Sequence, residues 1–276
     1  MPSPKQIIVT TVFGPQAENL GRTFGTFAQT PDCELHAFVY NEQLPQNRHP
    51  AIRYHQVTPD PAFVSVRRDA LFRRWLWPDD LDAEYALVVD GLDALCVRPL
   101  PPMPGILRGA SVAAAPEWLG PQPLLGQGYT SCYLNAGVTF WHLAHSRTMR
   151  AEIAERGRAH YRGPYDDQTT LNEVVHTRYF DDLIILPSQY NWRAMYQESY
   201  RGWRQNFRSW PRVDQLDGIY IYHNQVSVMK VLAALQQQRP APHANLRPLT
   251  PDRGPLNRFE RLWRQLRHRL GPARES

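Results

Sequence analysis

Tyr85-Ala86-Leu87-Val88-Val89-Asp90-Gly91-Leu92-Asp93 is an apolar run of strand type that drives directly into two carboxylates spaced three apart. Burial of Leu87, Val88 and Val89 accounts for the strand. It does not account for the acids, because desolvating a carboxylate is costly unless a cation or hydrogen-bond donors compensate it. Acids placed where a buried strand surfaces form a candidate metal site, built from the hard oxygen ligands that Mg²⁺ or Mn²⁺ prefers. A solvated turn with an Asx hydrogen bond and a helix cap is the plainer account of the same residues. The segment alone leaves both open.

Upstream, residues 7–12 are β-branched and continuous, which predicts a first strand buried on both faces. The spacing predicts a helix over 17–29, strands over 34–40 and 52–57, and a helix over 65–77 stopped by Pro78. This alternation predicts the α/β class, with a mixed, mainly parallel sheet flanked by helices. Sites in such sheets form at the carboxyl ends of strands, where Asp90 and Asp93 fall. Beyond Pro99 the chain turns Pro/Gly-rich as far as about residue 128, which predicts binding loops around one short strand over 111–115. Further strands are predicted over 138–141, 184–186 and 219–222, and a helix over 166–175. No repeat or strong linker interrupts the chain, so a single domain over 1–250 with a tail over 251–276 is expected.

A chain of 276 residues with 42% hydrophobic content suits one large α/β domain. It has no run of eighteen apolar residues. The opening MPSPKQIIVTTVFG lacks the apolar core of a secretory signal, and Cys33, Cys96 and Cys132 are scattered without a CxxC. A cytoplasmic protein with reduced thiols is expected. Of the net charge of +5, the segment 258–269 supplies +4, through five arginines against one glutamate. The remainder is nearly neutral, which argues against nucleic acid as a partner. In the same segment Phe259, Leu262, Trp263, Leu266 and Leu270 share a helical face. Such a basic amphipathic helix suits an anionic membrane surface, placing the protein peripherally on the inner face of the membrane; a helix docked on the core or a disordered tail would have the same pattern. Trp192, Tyr196, Tyr200, Trp203, Phe207 and Trp210 form an aromatic stripe, ordinarily core packing and alternatively a platform for sugar rings.

Four pieces follow one another in order: Val88-Val89-Asp90-Gly91-Leu92-Asp93, Leu134-Asn135-Ala136-Gly137-Val138, Asp167-Gln168-Thr169-Thr170-Leu171-Asn172 and Tyr220-Ile221-Tyr222-His223. Together they resemble the GT-A nucleotide-sugar glycosyltransferases, in particular the family 8 group of glycogenin-like enzymes and lipopolysaccharide galactosyl- and glucosyltransferases. The resemblance covers roughly residues 5–235 and implies a GT-A (Rossmann-like) fold. Two departures stand out. The acids are spaced Asp-x-x-Asp, as in collagen lysyl glycosyltransferase domains, and His223 is followed by Asn-Gln-Val-Ser-Val-Met-Lys without the family's usual ending.

The resemblance implies a metal-dependent, retaining hexosyltransferase. Mn²⁺ or Mg²⁺ would be held by Asp90, Asp93 and His223, bridging the diphosphate of a nucleotide sugar, a UDP-hexose, with a glycan or glycolipid as acceptor. Thr10, Thr11 and Val12 would cradle the base and ribose, and Lys230 would face a phosphate. Arg67 or Arg68, Asn135 and Gly137 would approach the donor sugar, with Asp167 on its hydroxyls and Gln168 near the anomeric carbon. Each has an ordinary account too: most of the ten histidines will be structural or solvated, helical arginines face water, and Asp with Gln suits a first helical turn. The rival readings are a sugar-nucleotide pyrophosphorylase and a non-catalytic sugar-nucleotide or glycan-binding module. The first is disfavoured by the single glycine in Val12-Phe13-Gly14-Pro15.

Overall fold

The computed structural model describes residues 4–124, 129–159, 166–192, 218–223 and 228–236. Seven strands form the main sheet, in the order β3-β2-β1-β4-β7-β6-β8. These are β1 (Gln6–Val12), β2 (Cys33–Val39), β3 (Ile52–Gln56), β4 (Tyr85–Val89), β6 (Val112–Pro123), β7 (Tyr129–His142) and β8 (Leu183–Ile185). The first four pair in parallel; β7 runs antiparallel to both β4 and β6, and β8 is parallel to β6. A second, two-stranded antiparallel sheet pairs β5 (Ala94–Cys96) with β9 (Ile221–His223). The predicted mixed, mainly parallel α/β architecture is what the chain adopts.

Strand periodicity sorts the core into two layers. On one face, Ile8, Val12, Leu87, Val89 and Phe140 pack against Leu20, Phe24 and Phe27 and against the short helix α3 (Met103–Leu107). On the other, Ile7, Val9, Val88 and Trp141 meet α2 (Val66–Arg73), α4 (Leu143–Ala159) and α5 (Asp166–Arg178) through Ala70, Phe72, Ile153 and Leu171. Ile7, Ile8, Val88 and Leu87 are fully buried, each contributing about 1.5–3 kcal/mol. A third cluster, Leu95, Ile219, Tyr222, Val228 and Val231, seats α6 (Val228–Gln236) on the small sheet.

Several elements differ from expectation. The helix predicted over 17–29 is a 3₁₀ turn, the four-residue α1 (Leu20–Thr23) and a second 3₁₀ segment. Gly21 and Gly25 punctuate it, and a Cβ at Gly25 would come within 2.8 Å of the His49 ring, so close packing rather than helix propensity governs this stretch. The helix predicted over 65–77 ends at Arg73, with Ser65 Oγ capping it by accepting from Arg68 N at 3.2 Å. The largest correction lies beyond Pro99. In place of loops, the long strands β6 and β7 pair almost throughout, with register shifts between Ala114 and Pro116, Pro116 and Trp118, and Leu119 and Gln122. The prolines and glycine that read as loop sit in and beside those irregularities, where a missing ladder donor is tolerated. Helix α4, which the pattern did not indicate, is pinned by buried Arg150, whose guanidinium donates to Asp79, Trp75 O and Leu143 O. The aromatic stripe beyond Trp192 and the basic tail lie outside the described residues.

Candidate functional site

A cavity of about 580 Å³ opens at the carboxyl ends of β1 and β4, a size that fits a small-molecule ligand. Its acidic wall is the turn between β4 and β5. Asp90 O accepts from the backbone N–H groups of Asp93 and Ala94, both at 3.0 Å, while Asp90 N donates across to Gly137 O at 2.8 Å. Thr10 fastens the turn from inside: its Oγ1 accepts from Gly91 N at 3.0 Å, and a Cβ at Gly91 would lie 2.7 Å from that oxygen. Thr10 is fully buried and does not line the cavity, whereas Thr11 and Val12 do. The first strand thus borders the cavity through Thr11 and Val12, with Phe13 and Gly14 beyond them. Gly14 turns there at φ +74°, held on both backbone groups by the Asn41 amide.

The register of the small sheet brings in the imidazole. Ala94 pairs with His223, which places His223 Nε2 3.6 Å from Asp90 Oδ2. Gly137 lies directly beneath: a methyl group on its Cα would overlap both His223 and Asp90 Oδ2. Asp93 lines the same cavity, as do Asn135, Asp167 and Gln168. Among the described residues, no group of three His, Cys, Asp or Glu side chains is close enough together to hold an ion unaided. The pair with Asp93 nearby nonetheless suits Mg²⁺ or Mn²⁺, which are commonly held by one or two carboxylates plus water and substrate phosphate rather than by an all-protein cage.

Arg74, immediately after α2, was not singled out in the sequence and organises the floor. Its Nη1 donates to Asp90 Oδ1 at 2.6 Å; its Nη2 donates to Asp167 Oδ2 at 2.7 Å and to Ala136 O at 2.9 Å. Only 2% of its side chain is exposed. Burial pushes the Asp167 carboxyl above its ordinary range, Arg74 pulls it back, and the neighbouring Asp90 charge adds to the rise. Of the two arginines that were singled out, Arg67 lines the cavity. Arg68 turns away, into a buried ion pair with Asp166 and a hydrogen bond to Gly157 O.

Behind this floor lies an amide cluster. Gln168 Oε1 accepts from Asn135 Nδ2 and from Ala136 N, both at 3.1 Å. Asn135 Nδ2 also donates to Glu117, and Asn191 joins Asn135 to His223. Glu117 and Asn191 were likewise missed, since isolated polar residues in strand and loop sequence carry no pattern. Lys230 belongs to α6, but its side chain lies outside the described set.

No protein-family model and no curated protein matches the chain. Solved structures do. The galactosyltransferase LgtC in complex with donor and acceptor sugar analogues matches with a TM-score of 0.51 at 16% identity, covering 84% of this chain and 95% of that one. The glycosyltransferase GlyE of Streptococcus pneumoniae TIGR4 matches at 0.54 and 15% identity, over 87% of this chain and 66% of that one. The bifunctional glycosyltransferase WbbM matches at 0.53 and 11%, over 80% and 46%. The fold is that of the GT-A glycosyltransferases. The chain spans less than half of WbbM and nearly all of the LgtC chain. In this GT-A fold the acidic turn, Gly137 and His223 share one rim of the cavity, at the strand ends where α/β sheets bind ligands.

Proposed function

We propose that the protein is a metal-dependent, retaining glycosyltransferase that moves a hexose from a nucleotide sugar, UDP-linked, to a saccharide or glycolipid acceptor. The observation that carries this reading is the charge of the cavity. Asp90, Asp93, Glu117 and Asp167 line it with Arg67, and Arg74 beneath pairs with Asp90 and Asp167, which leaves four carboxylates against two guanidinium groups among the described residues. An excess of carboxylates where a diphosphate would sit favours a divalent cation between the two. Asp90, Asp93 and His223 are the residues that would hold Mn²⁺ or Mg²⁺, which supplies Lewis-acid neutralisation of the leaving diphosphate when bound.

The remaining roles belong to the chain itself. Asp167, held by Arg74, accepts hydroxyls of the donor sugar. Both lone pairs of Gln168 Oε1 are committed to Asn135 and Ala136, so this oxygen does not attack the anomeric carbon, and the NH₂ group, a donor only, would hold an oxygen of the donor sugar beside it. That favours front-face transfer: the acceptor oxygen bonds to the anomeric carbon as the diphosphate oxygen leaves, and the departing oxygen takes the acceptor's proton. Thr11 and Val12 border the base, Arg67, Asn135 and Gly137 the donor sugar, and Lys230 a phosphate. The basic tail would hold the enzyme at the inner face of a membrane that carries glycolipid acceptors; no described helix is itself long and apolar enough to cross one.

The test is release of nucleoside diphosphate from a panel of nucleotide sugars, with Mn²⁺ or with EDTA. Turnover of one donor with Mn²⁺, and none in EDTA, is expected. Turnover that survives EDTA contradicts the metal-dependent reading, and glycan binding without metal or turnover supports the binding-module alternative.

A further inference from the structure

Among the described residues, the amide cluster behind the cavity has one consistent hydrogen-bond direction. Gly137 N donates to Asn135 at 2.9 Å; a backbone N–H must face an acceptor, so that atom is Asn135 Oδ1. The Asn135 NH₂ group accordingly faces the Glu117 carboxylate, which only accepts when ionised. Asn191 meets Asn135 Oδ1 at 2.8 Å and must present its own NH₂ group there. Its oxygen is left toward His223 Nδ1, at 2.9 Å. An amide oxygen cannot donate, so Nδ1 carries the imidazole proton and the lone pair of the neutral ring lies on Nε2, the nitrogen that faces Asp90 Oδ2 at 3.6 Å.

The backbone makes this placement rigid. Trp192 N donates to Ile221 O at 2.8 Å and His223 N donates to Trp192 O at 2.9 Å, so the segment carrying Asn191 runs alongside β9. Asn191 is fully buried and His223 is 2% exposed, so the Asn191 oxygen is held against Nδ1 away from bulk water. We infer that Asn191, oriented through Asn135 by Glu117, is a positioning residue that fixes the Nδ1–H tautomer of His223 and thereby presents Nε2 to a divalent cation. This builds on the proposed ligand role of His223. It assigns to Asn191 the part that hydrogen-bonded neighbours of metal-binding histidines play, whose loss costs about 10–100-fold in metal affinity.

The first measurement needs no substitution. Long-range ¹H–¹⁵N correlation of the His223 ring in the metal-free protein at pH 8, assigned against His223→Gln, is expected to place the proton on Nδ1. A proton on Nε2 overturns the inference. The second is Mn²⁺ titration followed by electron paramagnetic resonance. Asn191→Leu should lose the Nδ1–H signature and bind Mn²⁺ about 10–100-fold more weakly, with urea unfolding as the check on the fold. Asn191→Asp still offers Nδ1 an acceptor but loses the donor to Asn135 Oδ1; it should keep the Nδ1–H signature and bind Mn²⁺ more tightly than Asn191→Leu, short of the parent protein. Equal affinity in Asn191→Leu and the parent protein overturns the inference. Failure of the parent protein to bind Mn²⁺ while its proton sits on Nδ1 overturns the ligand role of His223 instead; Mn²⁺ binding with the proton on Nε2 leaves that role standing and removes Asn191 from it. If Asn191→Leu does not fold, the parent tautomer and Asn191→Asp decide.

Discussion

Replacing Arg74 with methionine tests whether its guanidinium is the keystone of the cavity floor. The two arms of Arg74 are unequal. The Asp90 side chain is 37% exposed, so water screens that pair and its loss costs about 0–1 kcal/mol. The Asp167 side chain is only 12% exposed and sits 2.7 Å from Nη2. Removing the cation there leaves a desolvated carboxylate, a change worth about 3–5 kcal/mol. Urea unfolding of Arg74→Met at pH 7 should show a loss in that range. The loss should shrink on acidification: without Arg74 the carboxyl, already raised by burial, rises further, and the folded state gains a proton before the unfolded chain does. Above the ordinary carboxylate range the folded state therefore binds more protons, and stability falls as pH rises through that window. In a double-mutant cycle, Arg74→Met with Asp167→Asn should lose less than the sum of the single changes. A loss below about 1 kcal/mol for Arg74→Met, with effects that add to within about 0.5 kcal/mol, refutes the reasoning.

Gly137→Ala places a methyl between His223 and Asp90; it should abolish Mn²⁺-dependent UDP binding in calorimetry and destabilise the protein by about 1–3 kcal/mol. Burial pushes the Cys33 thiol up to about 12 and the Cys96 thiol up to about 11, so both should resist alkylation at pH 8 in the native protein and react at once in denaturant. Burial also lowers His36, His55, His142 and His176 below the ordinary imidazole value of 6.5. Acid therefore protonates the unfolded chain first, and stability should fall as pH drops from 7 through that value. The raised Asp167 carboxyl slopes the other way, one group against four among the described residues, so a urea midpoint that stays flat from pH 7 to 5.5 contradicts the assignment.

The parallel half of the sheet was legible because β1 and β4 are buried on both faces, and burial on both faces writes itself as a near-continuous apolar or β-branched run. The acidic turn was legible for the opposite reason: Asp90 and Asp93 interrupt such a run where no packing argument wants them. His223 was reached through the resemblance, and the Ala94 pairing that carries it to Asp90 is a long-range register no local pattern encodes. The β6–β7 pair was hidden because Pro116, Pro121 and Pro123 read locally as loop, while the register shifts that admit Pro116 beside them are a property of two strands together. Arg74 was obscured by its neighbour Arg73: two adjacent arginines at a helix end look alike in sequence, yet Arg73 pairs with Asp69 and lies over Trp77, while Arg74 turns under the cavity. Asn191 and Glu117 acquire meaning only through Asn135, from which they are separated by 56 and 18 residues.

The most direct measurement is anomalous diffraction from crystals grown with Mn²⁺ and UDP. The account predicts one manganese peak on the rim of the cavity, within ligand distance of Asp90, Asp93 and His223 Nε2 and of the diphosphate oxygens. Manganese bound elsewhere, or UDP seated in the cavity with no metal between its phosphates and Asp90, would contradict it.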